Sequence, residues 1–307
     1  MSELPPRVQI REVGPRDGFQ NEPEIISTDD KVALIELLAA SGLKRIEVTS
    51  FVRPDVLPQV ADGAEVLERL DVPEDVSLGV LIPNERGLER ALVHRDRFGE
   101  IDVFLSASET HNARNVNRSV WSRSKGSTGS WGAHGTRACA ARGSSSSPSA
   151  GPYEGYVGPE RVLAIARRLV DAGAQEIGFA DTTGMANPVA VRRCFAQALL
   201  HLPDVELTAH FHNTRGQGLA NVLAALEEGV ESFESSFGEL GGCPVPAGAT
   251  GNVATEDLVS LLHEMGIETG ISLELLLDAA REAQRILGRP LGRHVLTAGP
   301  VAWHEDG

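Results

Sequence analysis

A chain of 307 residues with 41% hydrophobic and 23% charged residues has the composition of a soluble globular protein, long enough for one large domain. Its formal net charge of -15 repels phosphate backbones and anionic lipid surfaces, which argues against nucleic-acid and membrane partners; any site for an acidic substrate must then supply its own positive charge, from a metal ion, an arginine or helix N-termini. The cysteines, Cys139, Cys194 and Cys243, form no CxxC pair, so neither a disulfide scaffold nor a zinc knuckle is expected, and with no apolar leader or spanning run the sequence reads as cytoplasmic.

The first β-branched run, VQIREV at 8–13, is followed by a helical pattern over 29–41 and a second run, RIEVTS at 45–50. Similar runs recur at 76–82, 101–107, 176–181, 205–212 and 232–237, with helical segments such as 159–172 and 188–202 between most of them. Such alternation predicts a parallel sheet. If the uninterpretable gap over 107–159 holds an eighth strand, the fold is an α/β (β/α)8 TIM barrel; otherwise an open doubly wound sheet is the alternative. Beyond Thr255 the pattern turns wholly helical, as a C-terminal cap, and a single barrel domain over 1–307 is expected.

Within the gap, residues 121–151 read WSRSKGSTGSWGAHGTRACAARGSSSSPSAG, without Leu, Ile, Val or an acidic residue. Neither helix nor strand is predicted there. The composition is that of a flexible Ser/Gly/Arg linker, and structureless inserts of about 30 residues are uncommon inside compact domains. Basic and serine-rich in an acidic protein, the stretch resembles out-of-frame translation of a GC-rich gene between two compensating frameshifts near Ser119 and Gly151.

The first strand runs into EVGPRDGFQNE, placing Arg16 and Asp17 at its C-terminal mouth, where barrel enzymes build their sites. An isolated PRDG would be an ordinary turn with a surface ion pair. His210 and His212, two residues apart in VELTAHFHN, point to one face of a strand. Two neutral imidazoles and a carboxylate such as Asp17 make a mixed N/O site for Mg, Mn or a similar divalent ion, with zinc or iron allowed by ligand type. A lone His-x-His is as often a satisfied pair of core residues, but Asn213, Arg215 and Gln217 just downstream favour a polar site. A third cluster, GELGGCPVPAGATGNVATEDL, spans 238–258. Its Cys243, in a Gly/Pro loop, is placed to act as an acid or nucleophile, and Asn252 offers a neutral oxygen ligand. Glu256 falls in the first turn of a helix, where an acid is also favoured by the helix dipole. Glu47 and Asp181, at the ends of the second and sixth strands, add carboxylates that either orient a ligand or cap a loop.

Together, the strings EVGPRDGFQNE, IEVTSFV, DTTGM, HFHNTRGQGLANV and the GGCP loop resemble the hydroxymethylglutaryl-CoA lyase family, within a wider group of metal-dependent lyases and Claisen-type acyl-CoA synthases on this barrel. The resemblance runs from about residue 8 into the C-terminal helices, 121–151 excepted. The Arg-Asp-Gly turn and the HxH strand belong to the whole group, whereas the cysteine loop separates the lyases from the synthases. The resemblance implies cleavage of 3-hydroxy-3-methylglutaryl-CoA to acetyl-CoA and acetoacetate, with Mg or Mn held by Asp17, His210, His212 and Asn252. It implies Arg16 near the thioester, Cys243 as a proton carrier, and Glu47, Asp181 and Glu256 as further catalytic carboxylates. Gln20 and Asn213 join Arg16 as implied substrate-binding residues, and a homodimer is implied as the assembly. Two departures stand out. Val245 replaces the family's aromatic after the cysteine-proline pair, and 121–151 replaces the expected fourth helix and fifth strand. A barrel lacking that wall would expose two strand edges and leave the chain catalytically impaired.

Overall fold

A computed structural model of the chain describes residues 4–105, 135–142, 158–242, 251–292 and 294–301. Its strands follow one another around a closed parallel ring: β1 (Gln9–Glu12), β2 (Arg45–Ser50), β3 (Ser77–Leu81), β4 (Glu100–Leu105), β5 (Gly135–Arg142), β6 (Glu176–Asp181), β7 (Glu206–Phe211) and β8 (Ser232–Ser235). β8 returns to pair with β1, from Gln9 opposite Ser232 to Glu12 opposite Ser235. Neighbouring the ring are α1 (Thr28–Ala40), α2 (Gly63–Arg69), α3 (Glu85–Leu92), α4 (Pro159–Asp171), α5 (Pro188–His201) and α6 (Gly218–Glu227). The C-terminal cap consists of α7 (Thr255–Glu264), α8 (Leu273–Leu287) and the short α9 (Val295–Ala298), among the described residues.

The absence of a strand expected for 121–151 is corrected here. Residues Gly135–Arg142 form β5, which pairs with β4 from Glu100 opposite Gly135 to Leu105 opposite Ala140, and with β6 from Arg137 opposite Glu176. The ring has no missing wall. A strand flanked on both sides is held by main-chain N–H and C=O groups, which every non-proline residue carries, so it needs no apolar alternation to be stitched in. The rest of that stretch, with the positions near Ser119 and Gly151, lies outside the described residues.

Alternation within the other strands sorts the core into two layers. Ile10, Ile46, Val48, Ile177, Phe179, Leu207, Ala209 and Phe233 face the helices and are buried in the apolar cluster. Phe179 meets Phe195 of α5 edge-on, ring centres 5.6 Å apart. The intervening positions turn into the lumen, which at its N-terminal end is filled by charge rather than by aliphatic side chains. Arg11 reaches Asp102 at 3.2 Å, Glu176 at 3.3 Å and Glu100, while Arg45 binds Glu100 at 2.9 Å and Glu176 at 2.5 Å. Buried ions survive only when paired this densely. The outer helices begin on side-chain caps: Ser27 accepts the Asp30 N–H at 3.1 Å before α1, and Asn187 accepts that of Ala190 at 3.1 Å before α5.

Candidate metal centre

The opposite, C-terminal end of the ring carries the cluster anticipated from the sequence. After β1 the chain makes a widened helical turn, Gly14–Gly18, in which Val13 C=O accepts the N–H of Asp17 at 2.6 Å and that of Arg16 at 3.1 Å. This turn folds Arg16 and Asp17 inward, where both are buried. His210 lies in β7 and His212 just beyond its end, their rings 5.2 Å apart. Ligand atoms of Asp17, His210 and His212 all lie within 4.8 Å of one another.

A return loop supplies the fourth member. Asn213 N–H donates to Gly251 C=O at 3.0 Å and Val253 N–H to Phe211 C=O at 3.0 Å, so Asn252 is laid antiparallel beside His212. Asn252 Nδ2 donates both to Asp17 Oδ2 and to Leu240 C=O, each at 2.9 Å. The amide orientation is thereby fixed, and its Oδ1, like His210 Nε2, is buried without a hydrogen-bond partner. Two buried acceptor atoms left unpaired beside a carboxylate and a second imidazole suit a divalent cation, because an ion satisfies lone pairs that no neighbouring N–H reaches. A second trio, Glu239, Asp257 and His294, is also close enough to ligate, but Asp257 Oδ1 already accepts the Val295 N–H at 2.9 Å and its Oδ2 lies 2.8 Å from His294 Nδ1.

Arg16 bridges the cluster to Glu47, with Nη1 on Asp17 Oδ1 at 2.6 Å and Nη2 on Glu47 Oε2 at 2.5 Å. Burial pushes the Glu47 carboxyl up to about 7 against the opposing pull of Arg16. Gln20 Nε2 donates to Asp17 Oδ1 at 2.9 Å, so it braces the Asp17 carboxylate. The other positions singled out from sequence are engaged in main-chain and loop hydrogen bonds. Asp181 clamps the loop after β6, taking the N–H groups of Met185 at 3.1 Å and Ala186 at 2.7 Å, and burial raises its pKa against those hydrogen bonds. Glu256 accepts the Gly238 N–H with both oxygens, at 3.0 and 3.1 Å, and burial pushes it up to about 8. Asn213 has its Oδ1 on the Gly218 N–H at 3.1 Å and its Nδ2 on Glu239 at 2.8 Å, holding the loop rather than facing the ligating atoms. Arg215 donates to the carbonyls of Thr183 and Gly184 at 3.1 and 2.9 Å. Cys243 and Val245 lie outside the described residues.

Two residues were not anticipated. Glu12, pushed up to about 7 by burial, gathers the N–H groups of Gly14 and Phe237 and the Thr255 hydroxyl, tying the turn after β1 to the loop after β8. Glu234 lies 2.9 Å from His210 Nδ1. The available signal was a glutamate within a strand run, since a buried acid needs a partner.

The HMGL-like family model matches residues 7–282. A hydroxymethylglutaryl-CoA lyase of Bacillus subtilis is 42% identical over 94% of this chain and 95% of its own. A Pseudomonas aeruginosa lyase named for 3-hydroxy-3-isohexenylglutaryl-CoA and hydroxymethylglutaryl-CoA is 40% identical over 96% of this chain and 98% of its own. Among solved structures, an HMG-CoA lyase from Acinetobacter baumannii in complex with coenzyme A and 3-methylmalate superimposes with a TM-score of 0.90, at 37% identity and full coverage of both chains.

Proposed function

The chain belongs to the HMGL-like family, and from that premise we propose that it cleaves 3-hydroxy-3-methylglutaryl-CoA to acetyl-CoA and acetoacetate. The observation that carries this reading is the convergence of Asp17, His210, His212 and the fixed Asn252 Oδ1 at the C-terminal mouth of the barrel, beside Arg16. The same residue types suit Mg or Mn, and an acyl-CoA substrate accords with the coenzyme A complex of the A. baumannii relative.

Asp17, His210, His212 and Asn252 would hold the cation, which when bound polarises substrate oxygens and lowers the pKa of a hydroxyl. The C3 hydroxyl then loses its proton to a base. Glu47, raised to about 7, is suited to exchange a proton near neutrality. As the C3–O bond gains double-bond character, the C2–C3 bond breaks and its electron pair moves to the acetyl-CoA fragment as an enolate. Arg16 stabilises the charge that gathers on the thioester oxygen. Cys243 supplies the proton that converts the enolate carbon to a methyl group. The acetoacetate leaves as the ketone formed at C3. A homodimer and a cytoplasmic location complete the reading; no helix among the described residues is long and apolar enough to cross a membrane.

The test is acetoacetate release from the purified chain with Mg or Mn, with and without chelator, using hydroxymethylglutaryl-CoA and its isohexenyl analogue in parallel. Chelator-sensitive turnover of the methyl substrate is expected. Turnover of the analogue alone would move the substrate assignment, and no turnover of either by folded protein would reject the lyase reading.

A further inference from the structure

The strand register of the lumen arranges three residues from successive strands in one row. Arg11 of β1 stands opposite Glu234 of β8, and Glu234 stands opposite His210 of β7. Paired residues of parallel strands project to the same side, so the row runs inside the barrel from the charged N-terminal half to the metal centre. Arg11 lies 4.0 Å from Glu234 Oε1, and Glu234 Oε2 lies 2.9 Å from His210 Nδ1. His210 and Glu234 are both buried, with side chains 3% and 7% exposed.

A carboxylate has only lone pairs to offer, so the short contact requires the proton of a neutral His210 ring to sit on Nδ1. The other nitrogen, Nε2, is then left as a bare lone pair, and it is the atom that is buried and unpartnered in the cluster with Asp17 and His212. Rotating the ring away would give up this contact. Arg11, 4.0 Å from the other carboxylate oxygen, adds a nearby positive charge and is itself paired with Asp102 and Glu176.

We propose that Glu234 is a positioning residue of the metal centre, holding His210 in the Nδ1–H tautomer so that Nε2 ligates a divalent cation. This rests on the reading of Asp17, His210, His212 and Asn252 as a cation site. Partners of this kind orient a ligating imidazole, and their removal weakens metal binding about 10–100-fold.

The experiment has two arms. Mn(II) is titrated into metal-stripped full-length protein and followed by the electron paramagnetic resonance of the free ion, for the wild type, Asp17→Ala and Glu234→Leu. Glu234→Leu keeps most of the side chain's volume but removes the acceptor of the His210 Nδ1–H, and a loss of affinity of about 10-fold or more is expected. Unchanged affinity in Glu234→Leu, with binding abolished in Asp17→Ala, would overturn the positioning role while leaving the site intact. No binding by the wild type would overturn both. The second arm needs no folded Glu234 variant: nitrogen-15 shifts of the histidine rings in metal-free wild type, above neutral pH, with His210 assigned by loss of its signals in His210→Gln. A protonated Nδ1 and a bare Nε2 are expected. A proton on Nε2, or a mixture of tautomers, would overturn the proposal.

Discussion

Asn252 Nδ2 donates to Asp17 Oδ2 at 2.9 Å, joining the loop after β8 to the turn after β1 through one amide. With its second proton on Leu240 C=O, the side chain has only Oδ1 left to offer a cation. Asn252→Ala should therefore lower Mn(II) affinity by at least about 10-fold. Asn252→Asp is more diagnostic, because it sets a second carboxylate beside Asp17, where like charges repel until a cation lies between them. Its melting temperature in chelator should fall below that of the wild type and recover on adding Mn(II). A melting curve indifferent to metal in that variant would remove Asn252 from the site.

Arg16 is buried between two carboxylates, Asp17 and Glu47, and both of its Nη atoms are engaged. A lysine carries a compact charge without the fork needed to span them. Arg16→Lys and Arg16→Gln should each reduce kcat by about 100-fold or more, as loss of a donor to developing charge does elsewhere. Mn(II) binding should change far less. If kcat stayed within a few-fold of wild type in either variant, Arg16 would have no part in stabilising the enolate oxygen.

Glu12 and Glu256 are pushed up to about 7 and about 8 by burial from an ordinary value of 4.5. Between 4.5 and those values the native state binds more protons than the unfolded chain, so their contribution to stability is fully present below 4.5 and declines as pH rises to about 8. Each displaced unit corresponds to about 1.4 kcal/mol at most, less any relaxation around the group. Glu256→Gln retains an oxygen to accept the Gly238 N–H and removes the titration. Its melting temperature should gain on the wild type with rising pH and level off above about 8. A constant difference between the two proteins across that range would mean that Glu256 does not titrate there.

The parts of this architecture that were legible in the sequence are those set by short-range spacing. His210 and His212 share a face because strand residues two apart must, and Arg16 with Asp17 sits where a strand ends in Gly-Pro. The readable strands carry apolar residues on the side facing the helices, such as Ile46 and Val48 in β2, Leu207 and Ala209 in β7 and Phe233 in β8. What escaped depends on contacts between distant segments. Glu234 meets His210 through the β7–β8 register, which no local pattern encodes, and Glu12 meets Thr255 across 243 positions. β5 escaped because its place is defined by the backbone ladders of β4 and β6 rather than by its own side-chain pattern. Asp181 and Asn213 show a related limit: residues of their types serve a ligand or a loop alike, and the hold of their oxygens on the N–H groups of Ala186 and Gly218 is visible only in the folded loops.

Gly241 offers a last test, of how tightly the loop after β8 must approach the turn after β1. Its backbone has φ +90°, and a Cβ there would lie 2.6 Å from Asn252 Nδ2 and 3.2 Å from Asp17 Oδ2. Gly241→Ala thus combines an unfavourable backbone conformation, costing roughly 1–3 kcal/mol, with a methyl group driven against the amide that fixes Oδ1. Gly216 separates the two effects, since it has φ +66° but nothing within 4 Å of the position its Cβ would take. Both alanine variants should lose stability, Gly241→Ala at least as much as Gly216→Ala. Only Gly241→Ala should also lose Mn(II) affinity, by about 10-fold or more if Asn252 is displaced as a ligand. Equal metal binding in the two variants would show that the loop can yield without moving Asn252, and that its contact with Asp17 is not needed to assemble the site.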